Sequence, residues 1–291
     1  MKTAVKLKQD LLDMRRKKMQ LAEPSQIEGN PWILRPRPNP NAKARLFCLP
    51  YAGGAPSVFR SWPDRYFDDG IEVCLIQLPG RENRMMDTMP EDIYLLIPPI
   101  IKAMTPYLDK PYIMYGHCMG SLITHEVLRQ MRNGKFEPPL HFIVGAHFGP
   151  SLLQPGGKQV SGMKDVTLEE FFKLADDLGG TDGAVLKDAS TGALVIPTLK
   201  SDYYAYGSYE YRPTEKPFNI PMTVYYGNRD HLVSSVEVPC WKEETRQPCE
   251  IVEVDGDHFF VITAEDKFLP MLRKKLMEIL KNVSHEDITW Q

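Results

Sequence analysis

No run of apolar residues in this 291-residue chain is long enough to cross a bilayer. The basic N-terminus, MKTAVKLKQDLLDMRRKKMQ, lacks the uninterrupted apolar core of a signal peptide. The five cysteines, at positions 48, 74, 118, 240 and 249, are an odd set without a CxxC pair. They make a poor disulfide framework and a poor zinc site, and they favour a reducing, cytoplasmic compartment. Neither sign of charge dominates: 35 Lys and Arg stand against 38 Asp and Glu, a net charge of -3. Nothing in that balance calls for nucleic acid or an anionic membrane surface. What is present, 43% hydrophobic and 25% charged residues, suits a globular protein with a substantial core.

Residues 3–21 place Val5, Leu7, Leu11, Leu12, Met14 and Met19 roughly at helical spacing among lysines and arginines, which predicts a basic amphipathic helix. The run NPWILRPRPNPN at 30–41 cannot continue it, because each proline lacks a donor and restricts its predecessor; it reads as an extended linker. We therefore expect an N-terminal extension, 1–30, and one domain, 31–291. In that domain, short apolar runs at 45–49, 72–77, 112–115, 141–145, 222–226 and 249–254 suit strands buried on both faces. Segments of helical length lie between or after them, at 57–67, 93–108, 118–133 and 264–281. The alternation predicts an α/β fold with a mostly parallel central sheet flanked by helices. The stretch 150–211 breaks the rhythm with a predicted helix at 168–178, Gly179 and Gly180, and the tyrosines 203, 204, 206, 209 and 211. Such an insertion is either a lid or a packing subdomain.

The sharpest local feature is Gly116-His117-Cys118-Met119-Gly120, directly after the strand PYIMY and opening the helical segment SLITHEVLRQM. G-x-S-x-G in that context is a nucleophile elbow, and here cysteine holds the nucleophile position. The positive end of a helix dipole and a nearby imidazolium both favour a thiolate. The bland alternative is a space-filling cysteine of the kind expected at Cys48 and Cys74.

An elbow needs an acid and a histidine, which follow it in that order. YYGNRD puts Asp230 beyond one strand end and DGDHFF puts His258 beyond the next. At the carboxyl edge of a parallel sheet the two can converge on Cys118. His258 would take the thiol proton or pair with the thiolate, and Asp230 would fix its tautomer. Asp255, Asp257 and His231 are nearby competitors for those roles. His117 and His125 read as packing or surface histidines, while His147, after a strand end, could line the pocket. The loop LPYAGG offers a backbone N–H, with Tyr51 the first choice, to share an oxyanion with the N–H of Met119.

These residues resemble the type II thioesterases that accompany nonribosomal peptide and polyketide synthases. RLFCLPYAGGAPSVFRSWPD, IQLPGRENR, YGHCMGSL, LGGTDGAVL, YYGNRD and DGDHFF occur in the order and spacing of that family. The resemblance implies an α/β-hydrolase fold with a helical lid insertion. It also implies an acyl or aminoacyl thioester presented on the phosphopantetheine arm of an acyl or peptidyl carrier protein, with no metal or redox cofactor. Carried over, the catalytic positions are Cys118, Asp230 and His258, the oxyanion donors are Tyr51 and Met119, and the expected state is a monomer.

Two features depart from the family pattern. Most members carry serine where this chain carries Cys118; an acyl-cysteine is still a thioester, so a cysteine-dependent acyltransferase handing the group to an amine, alcohol or thiol is the alternative to hydrolysis. The basic N-terminal segment either docks a synthase or an acidic carrier protein, or is a loose tail or an arm packed on the core. A catalytically silent binding protein is a third reading, which the complete triad disfavours.

Overall fold

A computed structural model describes residues 29–134, 136–153, 189–212 and 216–281, with the side chains of 189–195 outside that description. The expected helices at 3–21 and 168–178 and the LGGTDGAVL segment lie outside the described residues.

The strands are β1 (Ile33–Leu34), β2 (Ala44–Leu49), β3 (Ile71–Ile76), β4 (Tyr112–His117), β5 (His141–Gly145), β6 (Met222–Gly227) and β7 (Cys249–Val254). They form one sheet in the order β1-β3-β2-β4-β5-β6-β7. β1 is antiparallel to β3, and all other neighbours are parallel. This is the α/β-hydrolase-like arrangement, and β2 to β6 match the continuous apolar runs because helices cover both faces.

Alternate residues feed two cores. Phe47, Leu49, Met114, Phe142 and Val144 pack with α2 (Ile97–Met104) and α3 (Met119–Arg132) on one face. Leu46, Cys48, Tyr115, Ile143 and Tyr225 pack with α1 (Trp62–Phe67) and α5 (Glu265–Lys281) on the other. Cys48 and Cys74, both fully buried, thus belong to opposite faces, and all five cysteines are free thiols.

The proline-rich segment is less free than a linker. Ile33 and Leu34 add β1 to the sheet edge, and Arg35 joins Arg45 on the buried carboxylate of Glu72. Prolines also divide the expected helices. Segment 57–67 becomes a 3-10 turn, Pro56–Phe59, followed by α1, and α2 starts anew with Pro98 and Pro99 in its first turn, where a missing N–H costs nothing. A helix not anticipated, α4 (Ala189–Gly207), carries Tyr203, Tyr204 and Tyr206.

Candidate active site

Between β4 and α3 the chain turns so sharply that Cys118 sits at φ 51°, ψ -119°, a conformation that costs a non-glycine residue about 1–3 kcal/mol. The flanking glycines make the turn possible. A Cβ on Gly116 would stand 2.4 Å from the Gly120 carbonyl oxygen, and one on Gly120 would stand 2.4 Å from the Leu49 carbonyl oxygen. The turn's polar groups are satisfied: Cys118 N–H donates to Gly145 O (2.8 Å), Ser121 N–H to Cys118 O (2.8 Å) and Ser121 Oγ to Gly116 O (2.7 Å). Because Gly120 meets backbone, Gly120→Ala must lift α3 off the end of β2. We expect it to lose about 2 kcal/mol or more in chemical denaturation and to shift Tyr51 away from Cys118.

Asp230 lies in the turn after β6 and His258 in the loop after β7. His258 Nδ1 is 2.8 Å from Asp230 Oδ2, with the carboxylate fully buried. Asp230 Oδ1 accepts from the backbone N–H groups of Leu232 (2.8 Å) and Val233 (3.1 Å), so both oxygens are used and the carboxylate cannot rotate. Nδ1–H therefore points at Asp230, leaving Nε2 for Cys118. Burial opposes charging of His258. The negative charge and hydrogen bond of Cys118, together with the hydrogen bond and charge of Asp230, outweigh it and push the imidazole up to about 10.

The competing residues are placed elsewhere. Asp255 pairs with Arg229 and Lys267 at the surface, Asp257 accepts from Phe259 N–H and Thr263 Oγ1, and His231 is exposed. His117 is fully buried and points away from Cys118's chemistry. Its Nε2 must donate to the His258 carbonyl (2.8 Å), since a carbonyl only accepts, and its Nδ1 accepts from Tyr115 Oη (3.0 Å). Burial and the neighbouring His258 charge push it down to about 3, so it holds the His258 loop as a neutral ring.

Above the elbow, Tyr51 packs edge-on against Phe259 and His117, with ring centres 4.9 and 5.8 Å away. Burial and then a charge on Cys118 push its hydroxyl up to about 12. Gly54 N–H closes the loop onto Tyr51 O (2.9 Å). Met119 opens α3, where helix geometry leaves an N–H without an intrahelical acceptor.

Sequence reasoning noted the tyrosine cluster but did not place it. Tyr203, buried, and Tyr206, half-buried, stand three apart on α4, and their hydroxyls are raised first by desolvation and then by charge on Cys118. They form the near wall of the site, their common face being the only signal available from spacing. His147 stands behind them: its Nδ1 donates to Phe148 O and its Nε2 accepts from Tyr206 Oη (3.0 Å). Among the described residues no group of three His, Cys, Asp or Glu could hold a metal, and no helix is long and apolar enough to cross a membrane.

The thioesterase domain model matches residues 44–276, a span containing Cys118, Asp230 and His258. Gramicidin S biosynthesis protein GrsT of Aneurinibacillus migulanus is 34% identical over 254 residues, covering 86% of this chain and 96% of that protein. The type II thioesterase BorB from the borrelidin biosynthetic cluster superposes with a TM-score of 0.73 at 28% identity, covering 86% of this chain and 97% of its own. RedJ, a thioesterase from the prodiginine pathway of Streptomyces coelicolor, superposes with a TM-score of 0.71 at 26% identity over 89% and 95%.

Proposed function

This chain belongs to the thioesterase family, whose members are hydrolases acting on thioesters, and from that premise we propose that it clears acyl or aminoacyl groups from carrier proteins of a nonribosomal peptide or polyketide synthase. Supporting this are the names of its relatives, which belong to gramicidin S, borrelidin and prodiginine biosynthesis. The observation that carries the chemistry is His258 held between Asp230 and Cys118.

In this reading the Cys118 thiolate attacks the carrier thioester carbonyl. The oxygen of the tetrahedral adduct takes the negative charge, stabilised by the N–H groups of Tyr51 and Met119. Collapse breaks the C–S bond to phosphopantetheine, and the departing sulfur receives the proton from His258. The resulting acyl-Cys118 is opened by water, whose proton passes to His258, and collapse releases the acid with the pair restored. Asp230 keeps Nδ1 protonated throughout. The protein needs no cofactor in this cycle, the pantetheine arm belonging to the substrate, and all steps occur within one chain.

The second reading follows from the cysteine. Acyl-Cys118 is still a thioester, so an amine could compete with water for it. The test is intact-mass analysis of an acetyl-loaded peptidyl carrier protein with wild type and Cys118→Ala, with and without an added amine. We expect free acid from wild type in both conditions and a loss of about 10⁴-fold or more in Cys118→Ala. Amide as the dominant product would instead establish the transferase, and release of acid by Cys118→Ala at the wild-type rate would remove the proposed role of this residue.

A further inference from the structure

Loop Tyr51 to Gly54 is gripped from outside the site by two charged residues that the cycle above does not use. Arg81, in the loop after β3, and Asp202, on α4, are buried, with side chains 4% and 0% exposed. They pair twice, Arg81 Nη2 to Asp202 Oδ1 at 2.6 Å and Nη1 to Oδ2 at 2.9 Å. The pair then takes hold of consecutive residues in the loop. Gly53 N–H donates to Asp202 Oδ2 (2.6 Å), and Arg81 Nη1 donates to Gly54 O (2.7 Å). A third bond, Arg81 Nε to Pro79 O (3.1 Å), anchors the guanidinium to its own loop. Gly53 is at φ +77°, and a Cβ there would stand 2.6 Å from Leu199 Cδ1, so α4 lies directly against the loop.

Stability alone is a weak reason for such an arrangement. A buried ion pair often contributes no more than apolar residues of the same volume would, because desolvation offsets the attraction. What apolar residues could not do is accept the Gly53 N–H while donating to the Gly54 carbonyl. With those two groups fixed, and Gly54 N–H bonded to Tyr51 O, the peptide planes that follow Tyr51 as far as Gly54 have one orientation, and Tyr51, whose own N–H heads the turn, is placed through its carbonyl.

We propose that Asp202, held by Arg81, is a positioning residue for the oxyanion loop, so that the seating of α4 on Gly53 determines whether the Tyr51 N–H faces the acyl carbonyl at Cys118. The proposal rests on the oxyanion role given to Tyr51 above. An oxyanion donor works only when it lies about 2.7–3.1 Å from the developing charge, and a displacement of about 1 Å can cost roughly 100-fold. Asp202 touches no reacting atom; it acts through Gly53.

The experiment compares Asp202→Asn with the paired variant Arg81→Met, Asp202→Leu, which removes both buried charges at once. The substrate is a propionyl thioester of N-acetylcysteamine, and Cys118 is titrated in parallel with iodoacetamide. Asp202→Asn is expected to lower kcat by about tenfold or more with KM within about twofold and the Cys118 alkylation rate unchanged. The paired variant is expected to keep a wild-type melting temperature within a few degrees and to show the same kcat loss. Wild-type kcat in Asp202→Asn, or in a folded paired variant, overturns the proposal. So does a kcat loss matched by equal loss of Cys118 alkylation, which signals general disruption. Cys118→Ala run alongside separates the two claims: if it retains turnover the catalytic reading fails, whereas if it is inactive and Asp202→Asn is not, only the positioning role fails.

Discussion

Asp230→Asn is expected to lower kcat for thioester hydrolysis by about 10³–10⁴-fold with little loss of stability, because the replacement forces His258 into the wrong tautomer. The direction follows from the two backbone donors on Asp230. Leu232 N–H and Val233 N–H both donate to Oδ1, so the asparagine must put its oxygen there and its NH₂ toward His258 Nδ1. A donor facing Nδ1 makes that nitrogen an acceptor and moves the ring proton to Nε2, where the thiol proton has to arrive. Steady-state kinetics give the magnitude, and nitrogen-15 NMR of the ring reports the tautomer. The same substitution removes the hydrogen bond and charge of Asp230 that help raise His258 to about 10, so the imidazole should titrate lower than in wild type. Unchanged kinetics would mean that Asp230 orients nothing.

His125→Ala should be the most damaging substitution for stability, at about 3–5 kcal/mol, seen as a melting temperature lower by roughly 10 °C. His125, in the middle of α3, is fully buried, with Nε2 2.9 Å from Glu244 Oε2 and Nδ1 3.4 Å from Glu126 Oε1. Tyr209 and Tyr211 donate to the same carboxylates. Burial disfavours the imidazolium, but Glu126 and Glu244 outweigh it and raise the histidine; burial likewise disfavours each carboxylate, but His125, the main partner of both, outweighs it and holds each glutamate below its ordinary value. The pH dependence follows from those directions. The raised histidine contributes stability that is complete below about 6.5 and fades as pH climbs through its folded value. The lowered glutamates contribute stability that is complete above about 4.5 and fades as pH falls through theirs. The cluster is therefore worth most between those limits. Removing His125 strands two buried negative charges, so the deficit of His125→Ala should be largest between those limits and shrink on both sides, toward acid as the glutamates protonate and toward alkali as the wild-type imidazolium loses its proton. Denaturant titrations at about pH 4, 6 and 8 check this, with the largest deficit expected at pH 6; a deficit independent of pH would contradict the charge account and leave only lost packing.

The parallel sheet was readable from local sequence because strands covered on both faces carry unbroken apolar runs, as 46–49 and 142–144 do. β1 was not readable: two apolar residues among prolines carry no period, and only pairing with β3 makes them a strand. Helix α4 was hidden for another reason. Gly192, Pro197 and several β-branched residues weaken its local preference, and contacts with Gly53 and Arg81 supply what the sequence pattern lacks.

At the site, Cys118 stood out because an elbow is a contiguous motif, and Asp230 and His258 because strand ends are predictable. Chain order does not choose among Asp230, Asp255 and Asp257, since all three lie between Cys118 and His258; the 2.8 Å contact of Asp230 with His258 separates them directly. The Arg81 to Asp202 clamp spans 121 residues, a separation at which spacing has nothing to say. Tyr203 and Tyr206 were visible as a cluster, yet which face of α4 meets Cys118 depends on how the helix lies across the sheet.

The most direct test of the central claim is a single-turnover reaction with a carbon-13-labelled acyl carrier protein, quenched in acid at successive times and mapped by peptide mass spectrometry. The account predicts label on the peptide containing Cys118, rising and then decaying as an equal amount of free acid appears, with the label slow to clear in His258→Ala. Release of acid with no label ever found on Cys118, under conditions that preserve a thioester, would contradict it.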